Sequence, residues 1–201
     1  MDKRIPSFIK YDLLFMEALM KTILCVFFFF SAFNLFAKAP IVLIETNMGS
    51  FEVELNQEKA PITVKNFLSY VDDKFYNGLI FHRVIDSFMI QGGGFDEKMN
   101  EKKTKGPIKN EASNSLLNDS GTIAMARTAD PHSATSQFFI NVNDNSGLNY
   151  PSPDGHGYAV FGKVISGMHV VNRIKMVKTG NLAGHSNVPM DTVTIKSIKR
   201  K

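Results

Sequence analysis

Beyond its first forty residues the chain consists largely of short apolar or alternating segments separated by turn residues. Glu52 and Glu54 alternate with apolar residues from Phe51 to Leu55, and Asn47-Met48-Gly49 separates this segment from the apolar one at Ile41 to Glu45. Alternation is typical of a strand with one buried face, so the pair predicts an opening hairpin. Further segments of this kind are Gly78 to Ile85, Phe88 to Gln91, Gly121 to Ala126, Gln137 to Val142, Tyr158 to Val164 and Val193 to Ile198.

Two other segments carry the period of a helix. Pro61 stands where a first helical residue tolerates a missing N–H, and apolar residues follow at i, i+3, i+4 and i+7, namely Val64, Phe67, Leu68 and Val71. Val170, Ile174 and Val177 predict a second helix from Met168 to Val177. About eight strands and two helices predict a mainly β fold, a closed eight-stranded antiparallel β-barrel capped by two α-helices.

The N-terminal region has the pattern of an export signal. Lys21 precedes an apolar run from Ile23 to Phe36, and Ala37-Lys38-Ala39 is an Ala-x-Ala cleavage site. A membrane anchor is the alternative, but the run is shorter than the roughly 18 to 20 apolar residues that a spanning helix needs. We predict an N-terminal extension with a cleavable signal peptide at 1–39, one domain at 40–201, and a periplasmic protein. Met20 is an alternative translation start.

Charge and cysteine content exclude other classes of protein. Residues 1–39 hold five of the 23 Lys and Arg and three of the 19 Asp and Glu, which leaves 18 positive against 16 negative side chains after cleavage. Such a balance does not favour a nucleic-acid binder. The single cysteine, Cys25, lies in the apolar run, so the processed protein forms no disulfide. We expect a monomer that meets the membrane only transiently during export.

Metal and nucleotide sites are not indicated either. Gly92-Gly93-Gly94 lacks the Lys and Ser/Thr of a phosphate-binding loop, and the five histidines are scattered without close His or Cys companions. We therefore expect no metal and no cofactor. The longest irregular stretches are Phe95 to Asn118 and Asn143 to Gly157. Loops of this length in a compact domain often carry functional residues.

One segment holds a single cation among apolar and glycine residues: Phe81-His82-Arg83-Val84-Ile85-Asp86-Ser87-Phe88-Met89-Ile90-Gln91-Gly92-Gly93-Gly94-Phe95. It resembles the signature of the cyclophilins, and the resemblance continues in order through Gly121 to Arg127, Ser136 to Ile140 and Tyr158 to Val164. It extends from Ile41 to Lys199 and is greatest to the periplasmic bacterial branch. The resemblance implies a cyclophilin-like barrel and peptidyl-prolyl cis-trans isomerase activity.

The chemistry of that reaction needs few groups. The X-Pro rotation barrier is about 18 to 20 kcal/mol, and no covalent bond breaks, so a donor beside an apolar slot suffices. The resemblance implies that Arg83 approaches the prolyl nitrogen as the amide loses planarity, with Gln91 and Phe88 completing the catalytic set. The alternative for Arg83 is an ion pair with a carboxylate on the sheet surface, the commoner place for an arginine.

The resemblance also implies how the substrate is bound. Phe88, Met89, Phe139 and Leu148 match the proline pocket, Gln137 orients Arg83 or a substrate carbonyl, and Ala126 and the Arg127 backbone bind the chain beyond the X-Pro bond. Tyr158 lies at the rim, and His82 has only a supporting role at the pocket edge or, as the alternative, is a structural histidine that faces away. Two positions depart from the pattern: Gly147 replaces an aromatic residue of many members, and Tyr158 replaces a histidine. With no Trp in the chain, we expect weakened binding of cyclosporin-type inhibitors.

We thus expect an isomerase that accelerates X-Pro rotation in proline-containing, unfolded or partly folded exported polypeptides. The alternative is a non-catalytic proline-binding chaperone module that uses the same groove. A purely structural barrel is a third alternative, but it leaves the polar groups around Arg83 unexplained.

Overall fold

The computed structural model describes residues 38–201, and the predicted signal peptide lies almost entirely outside them. Ten strands and two α-helices follow in chain order: β1 (Ile41–Thr46), β2 (Gly49–Leu55), α1 (Pro61–Asp72), β3 (Leu79–Ile85), β4 (Met89–Asp96), β5 (Thr122–Met125), β6 (Phe138–Asn141), β7 (Val160–Ser166), α2 (Met168–Lys175), β8 (Thr179–Leu182), β9 (His185–Pro189) and β10 (Ile195–Arg200). Among these residues no helix has the length and apolar character to cross a membrane.

Eight of the strands form one antiparallel sheet that curls into a nearly closed barrel. Their order is β10-β1-β2-β7-β5-β6-β4-β3. The two edges of the sheet, β3 and β10, meet through bonds to the chain at the start of β10. The Phe81 N–H donates to the Val193 carbonyl at 2.9 Å, and the Gly78 N–H donates to the Ile195 carbonyl at 2.9 Å. The predicted fold class is confirmed, and the opening hairpin is β1 paired with β2.

The first helix covers one end of the barrel with the face that its periodicity predicts. Val64, Phe67, Leu68 and Val71 are all buried. Phe67 lies among aromatic rings of the barrel interior, with its centroid 5.7 Å from that of Phe138 and 5.2 Å from that of Phe161. Such pairs contribute about 0.5–1.5 kcal/mol each beyond the burial of their area.

A carboxylate from a distant loop caps α1. Ala60, the residue before the helix, offers no side-chain cap. Glu111 takes that place: its carboxylate accepts hydrogen bonds from the Ile62 N–H (3.1 Å), the Thr63 N–H (2.8 Å) and the Thr63 hydroxyl (2.7 Å). Because these amides have no partner inside the helix, the loop and the helix stabilise each other.

We expect Glu111→Ala to lower the free energy of unfolding by about 1 kcal/mol or more, the usual cost of losing a helix cap. Urea denaturation measures the loss. Glu97→Ala is the matched control, because Glu97 is an exposed loop carboxylate. An equal effect of the two substitutions would contradict the capping role.

The β8–β9 hairpin is the element that the sequence patterns miss. Most of its residues are exposed, so the two strands lack an apolar alternation. Its turn residues, Ala183 and Gly184, both have positive φ, at 49° and 79°. A turn with two such residues usually carries Asn-Gly or Asp-Gly, and Ala-Gly is a weak signal for it.

Candidate functional site

A row of residues crosses five adjacent strands on the outer face of the barrel. Arg83 on β3 is paired with Gln91 on β4, Gln91 with Phe139 on β6, Phe139 with Ala124 on β5, and Ala124 with Val160 on β7. Directly paired residues point to the same face of a sheet. One row of the barrel therefore brings together side chains from segments far apart in the chain.

The polar end of this row is a chain of three side chains. Arg83 Nη1 donates to Gln91 Oε1 at 3.4 Å, and Gln91 Nε2 donates to Gln137 Oε1 at 3.0 Å. Each glutamine uses its amide oxygen as the acceptor for the preceding donor, so the amide nitrogen of Gln137 has no acceptor among the described residues. The geometry orients two donors, a guanidinium and an amide, beside the apolar part of the row.

Arg83 is not held in an ion pair. It is half-buried, and its Cζ lies 5.8 Å from the centroid of the Phe88 ring. Within residues 38–201 no carboxylate lies at salt-bridge distance from it. The alternative of a structural surface pair therefore does not describe this residue, whose cation is left available for a ligand.

The apolar end of the row is a compact cluster separate from the barrel core. Its buried members are Met89, Phe139, Ala124 and Val160, and the partly buried residues packed on it are Ile85, Phe88, Leu116, Ala126, Leu148 and Tyr158. Phe138 faces the barrel interior while Phe139 belongs to this outer cluster, as strand alternation predicts. Six residues predicted for the site thus lie together: Phe88, Met89, Ala126, Phe139, Leu148 and Tyr158.

His82 lies apart from this cluster, and the side chain of Arg127, for which only a backbone role was predicted, is turned away from it. His82 is 4% exposed and packs on Phe95, with ring centroids 4.7 Å apart, away from the apolar cluster. Burial lowers the pKa of His82 to about 4, so the ring is neutral at pH 7. His82 therefore lies apart from the predicted pocket, in keeping with the alternative of a structural histidine; Phe81 and Val84 both face the core, and the register of β3 shifts between Phe81 and Arg83. The Arg127 side chain is 3% exposed and turned into the protein, which leaves only its backbone for a bound chain.

A buried asparagine network lies beneath the cluster, and the sequence patterns do not predict it. Asn141 Nδ2 donates to Asn118 Oδ1 (3.2 Å) and to Thr122 Oγ1 (2.9 Å), and Asn141 Oδ1 accepts from Asn145 Nδ2 (2.6 Å). Asn145 Nδ2 also donates to the Phe88 carbonyl at 2.8 Å. The network ties the turn that carries Leu148 to the segment that carries Phe88. An asparagine inside an apolar strand segment is the one signal of it in the sequence, because asparagine is depleted in strands.

The backbone of β4 makes room for Gln137. A Cβ on Gly94 would lie 2.7 Å from Cγ, Cδ and Nε2 of Gln137, closer than side chains approach. The absence of a side chain at Gly94 is therefore a condition for the hydrogen bond between Gln91 and Gln137.

We expect Gly94→Ala to lower kcat/KM for an X-Pro peptide about tenfold, because the new methyl group displaces Gln137. Isomerisation kinetics on a short Ala-Pro peptide measure this. When Gly94→Ala is added to Gln137→Ala, kcat/KM should fall little below that of Gln137→Ala alone. Gly106→Ala is the control, since a Cβ there has nothing within 4 Å. Full activity in Gly94→Ala would contradict the positioning of Gln137.

The part of the chain that the structure describes assembles no group of three His, Cys, Asp or Glu side chains able to hold a metal ion. What the site does offer is a cation, an amide donor and an apolar pocket. This combination grips a small apolar ring and donates to an amide without covalent chemistry.

Comparison with known proteins agrees with this geometry. The model of the family described as cyclophilin type peptidyl-prolyl cis-trans isomerase matches residues 41–200. A peptidyl-prolyl cis-trans isomerase of Acinetobacter baylyi is 60% identical over 161 residues, covering 80% of this chain and 85% of that protein. Peptidyl-prolyl cis-trans isomerase B of Escherichia coli is 55% identical over 160 residues, covering 79% and 98%. A cyclophilin from Cryptosporidium parvum, solved in the presence of the dipeptide Ala-Pro, is 30% identical with a TM-score of 0.70, covering 80% of this chain and 98% of that one.

Proposed function

Since this chain belongs to the cyclophilin family and is a peptidyl-prolyl cis-trans isomerase, we propose that Arg83 is its catalytic donor, and that it acts in the periplasm on exported polypeptides. The observation that carries the first part is the position of Arg83, which has no carboxylate partner within residues 38–201 and lies at the end of a row that leads into the apolar cluster. The second part is supported by the export pattern at residues 21–39.

The proposed mechanism follows from the row. The apolar cluster around Phe139 and Met89 holds the pyrrolidine ring, and Gln137 donates to a carbonyl of the bound chain. As the X-Pro bond twists, the lone pair of the prolyl nitrogen becomes localised on that nitrogen, and Arg83 donates a hydrogen bond to it. Because the lone pair is delocalised into the carbonyl group in the planar amide, this hydrogen bond is stronger in the transition state and accelerates rotation in both directions.

The proposed partners are proline-containing polypeptides that are still unfolded or partly folded, in which the X-Pro bond is accessible. Isomerisation in such chains takes tens to hundreds of seconds without a catalyst, slow enough to limit folding. We propose a monomer that works alone, which light scattering during gel filtration tests: a dimer mass at micromolar concentration would overturn it.

Export is tested by expressing the full chain in a Gram-negative host and fractionating the cells. We expect the processed protein in the periplasmic fraction, with an N-terminus at Pro40. Replacement of Leu24 and Phe28 by Lys should retain the full-length protein in the cytoplasm, because the apolar run is interrupted. A membrane-bound, uncleaved chain would support the anchor, and an uncleaved chain in the cytoplasm of the unaltered strain would overturn export.

A holdase activity is a second candidate, alongside catalysis and not in its place. Leu117 and Tyr150 are 52% and 54% exposed. Leu117 precedes Asn118 of the asparagine network, and Tyr150 follows Asn149, whose Oδ1 accepts from the Asn118 N–H at 2.7 Å. We propose that these two side chains extend the apolar surface that an unfolded chain contacts beside the site. The Arg83→Ala protein should then still suppress aggregation of a proline-free test protein, whereas no suppression by the unaltered protein would dismiss the candidate.

A further inference from the structure

The Arg127 side chain is held by more contacts than any other cation near the site. Nε donates to the Gly157 carbonyl at 3.1 Å, Nη1 to the Thr128 carbonyl at 3.0 Å, and Nη2 to both carboxylate oxygens of Asp154 at 2.9 and 2.7 Å. With only 3% of the side chain exposed, this guanidinium has no free face for a substrate.

The guanidinium also lies on the ring of Tyr158. Arg127 Cζ is 4.4 Å from the centroid of that ring, within the range of a cation–π contact. The Tyr158 ring in turn meets the Phe139 ring edge-on, with centroids 5.9 Å apart and planes at 74°. Tyr158 is therefore packed between Arg127 and Phe139, the buried aromatic residue of the apolar cluster.

The backbone around Tyr158 is held at both ends. The Tyr158 N–H donates to the Leu148 carbonyl at 2.9 Å, and its carbonyl accepts from Asn118 Nδ2 at 3.3 Å. These bonds locate the main chain but leave the two side-chain torsions of the tyrosine free. The contact that fixes the ring on the side away from Phe139 is the one with Arg127.

From these contacts we infer that Arg127 is a positioning residue for isomerisation: anchored by Asp154, its guanidinium clamps the Tyr158 ring as the wall of the proline pocket and so determines how tightly the substrate binds. This rests on the proposed place of Tyr158 in the site. The clamp acts on the shape of the pocket and not on the twisting amide. It therefore affects binding of the planar and the twisted substrate alike, and a change in it appears in KM with little change in kcat.

The experiment compares Arg127→Ala, Arg127→Lys and Asp154→Asn in the purified full chain, with kcat and KM for an Ala-Pro peptide obtained from NMR exchange. We expect KM to rise about fivefold or more in Arg127→Ala while kcat stays within about twofold. Arg127→Lys should not restore KM, because an ammonium group lacks the planar fork that reaches Gly157, Thr128 and Asp154 together. Asp154→Asn should raise KM by only about twofold, since the carbonyls of Gly157 and Thr128 and the neutral amide oxygen of the new side chain still accept hydrogen bonds from the guanidinium.

A purely structural role gives a different result. The ion pair between Arg200 and Asp72 is a matched control, since Arg200 Nε and Nη2 donate to the two carboxylate oxygens of Asp72 at 2.8 and 2.6 Å. It joins β10 to the end of α1, outside the apolar cluster. Because both of its partners are about half exposed, at 49% and 51%, Asp72→Asn should lower the melting temperature no more than Asp154→Asn, and it should leave KM unchanged. If Asp154→Asn leaves KM unchanged, as Asp72→Asn does, the proposed clamp is wrong. It is also wrong if Arg127→Ala lowers kcat at constant KM.

A double-mutant cycle with Tyr158→Ala separates the clamp from the site itself. We expect Tyr158→Ala alone to raise KM, and Arg127→Ala to add less than about twofold on that background, because the two residues act as a unit. If the two substitutions instead raise KM independently, so that their factors multiply in the double variant, the clamp is wrong but Tyr158 remains part of the site. An unchanged KM in Tyr158→Ala would remove Tyr158 from the site and the clamp with it, and Arg83→Ala would still test the catalytic donor independently.

Discussion

Arg83→Ala is expected to lower kcat/KM for an Ala-Pro peptide by about a hundredfold to a thousandfold, the usual effect of removing a preorganised donor aimed at the transition state. The donor acts only on the twisted amide, so the loss should appear mainly in kcat. Because no carboxylate of residues 38–201 pairs with Arg83, the substitution leaves no buried charge behind, and we expect the fold to be retained. A protease-coupled assay or NMR exchange measures the rate.

Two further variants make the result specific to the guanidinium. Arg83→Lys should recover only a small part of the activity. An ammonium group lacks the planar fork of donors with which a guanidinium donates to Gln91 and to the substrate at the same time. Arg173→Ala is the matched control, an exposed arginine on α2 whose loss should not affect the rate. Full activity in a folded Arg83→Ala protein would remove Arg83 from the mechanism.

Asn141→Leu should be the most destabilising change among the polar residues of the site region, with a loss of about 3 kcal/mol in the free energy of unfolding. Asn141 is fully buried, and leucine has the same branched side-chain shape but cannot hydrogen-bond. The substitution leaves Asn118 Oδ1 and one proton of Asn145 Nδ2 without their partner in the interior. It also removes the bond that orients the amide of Asn145, the residue that donates to the Phe88 carbonyl, so peptide affinity should fall as well. Urea denaturation and peptide titration measure the two effects.

Asn172→Leu provides the comparison, because Asn172 is an exposed residue of α2 and its amide is solvated. We expect that change to fall within about 0.5 kcal/mol of the unaltered protein. A similarly small effect of Asn141→Leu would show that the asparagine network is not a stabilising element.

The barrel could be predicted because its strands and helices depend on local periodicity, whereas the residues of the site were accessible only through the family resemblance. An alternating strand with one face toward a core has a single acceptable register, since a shift by one residue exchanges its two faces. This is why alternation alone is enough to place Phe138 and Phe139 on opposite sides of their strand. The polar residues Arg83 and Gln91 are recognisable through the family resemblance, and they lie as direct neighbours across two strands.

What could not be predicted depends on contacts between segments that share no local pattern. Glu111 caps a helix from a loop 49 residues further along the chain, as the separation from Ile62 shows. Arg127 looks the same in sequence whether its side chain faces a substrate or Asp154, and only the fold decides. His82 packs on Phe95 and not in the apolar cluster, next to a register shift of β3 between Phe81 and Arg83 that no local pattern shows. The exposed β8–β9 hairpin has too few apolar residues for the sequence to show the alternation of apolar and polar residues that predicts a strand.

The row from Arg83 to Val160 also has a consequence for how this protein matures. Its members lie on five strands, and β3 is held at the barrel's far edge by bonds to the chain around β10, near the C-terminus. Long-range pairings of this kind form late and together, because the entropy of closing long loops must be overcome first. We therefore expect the row to be complete only when β10 has joined the barrel, so that the return of isomerase activity during refolding reports completion of the barrel itself.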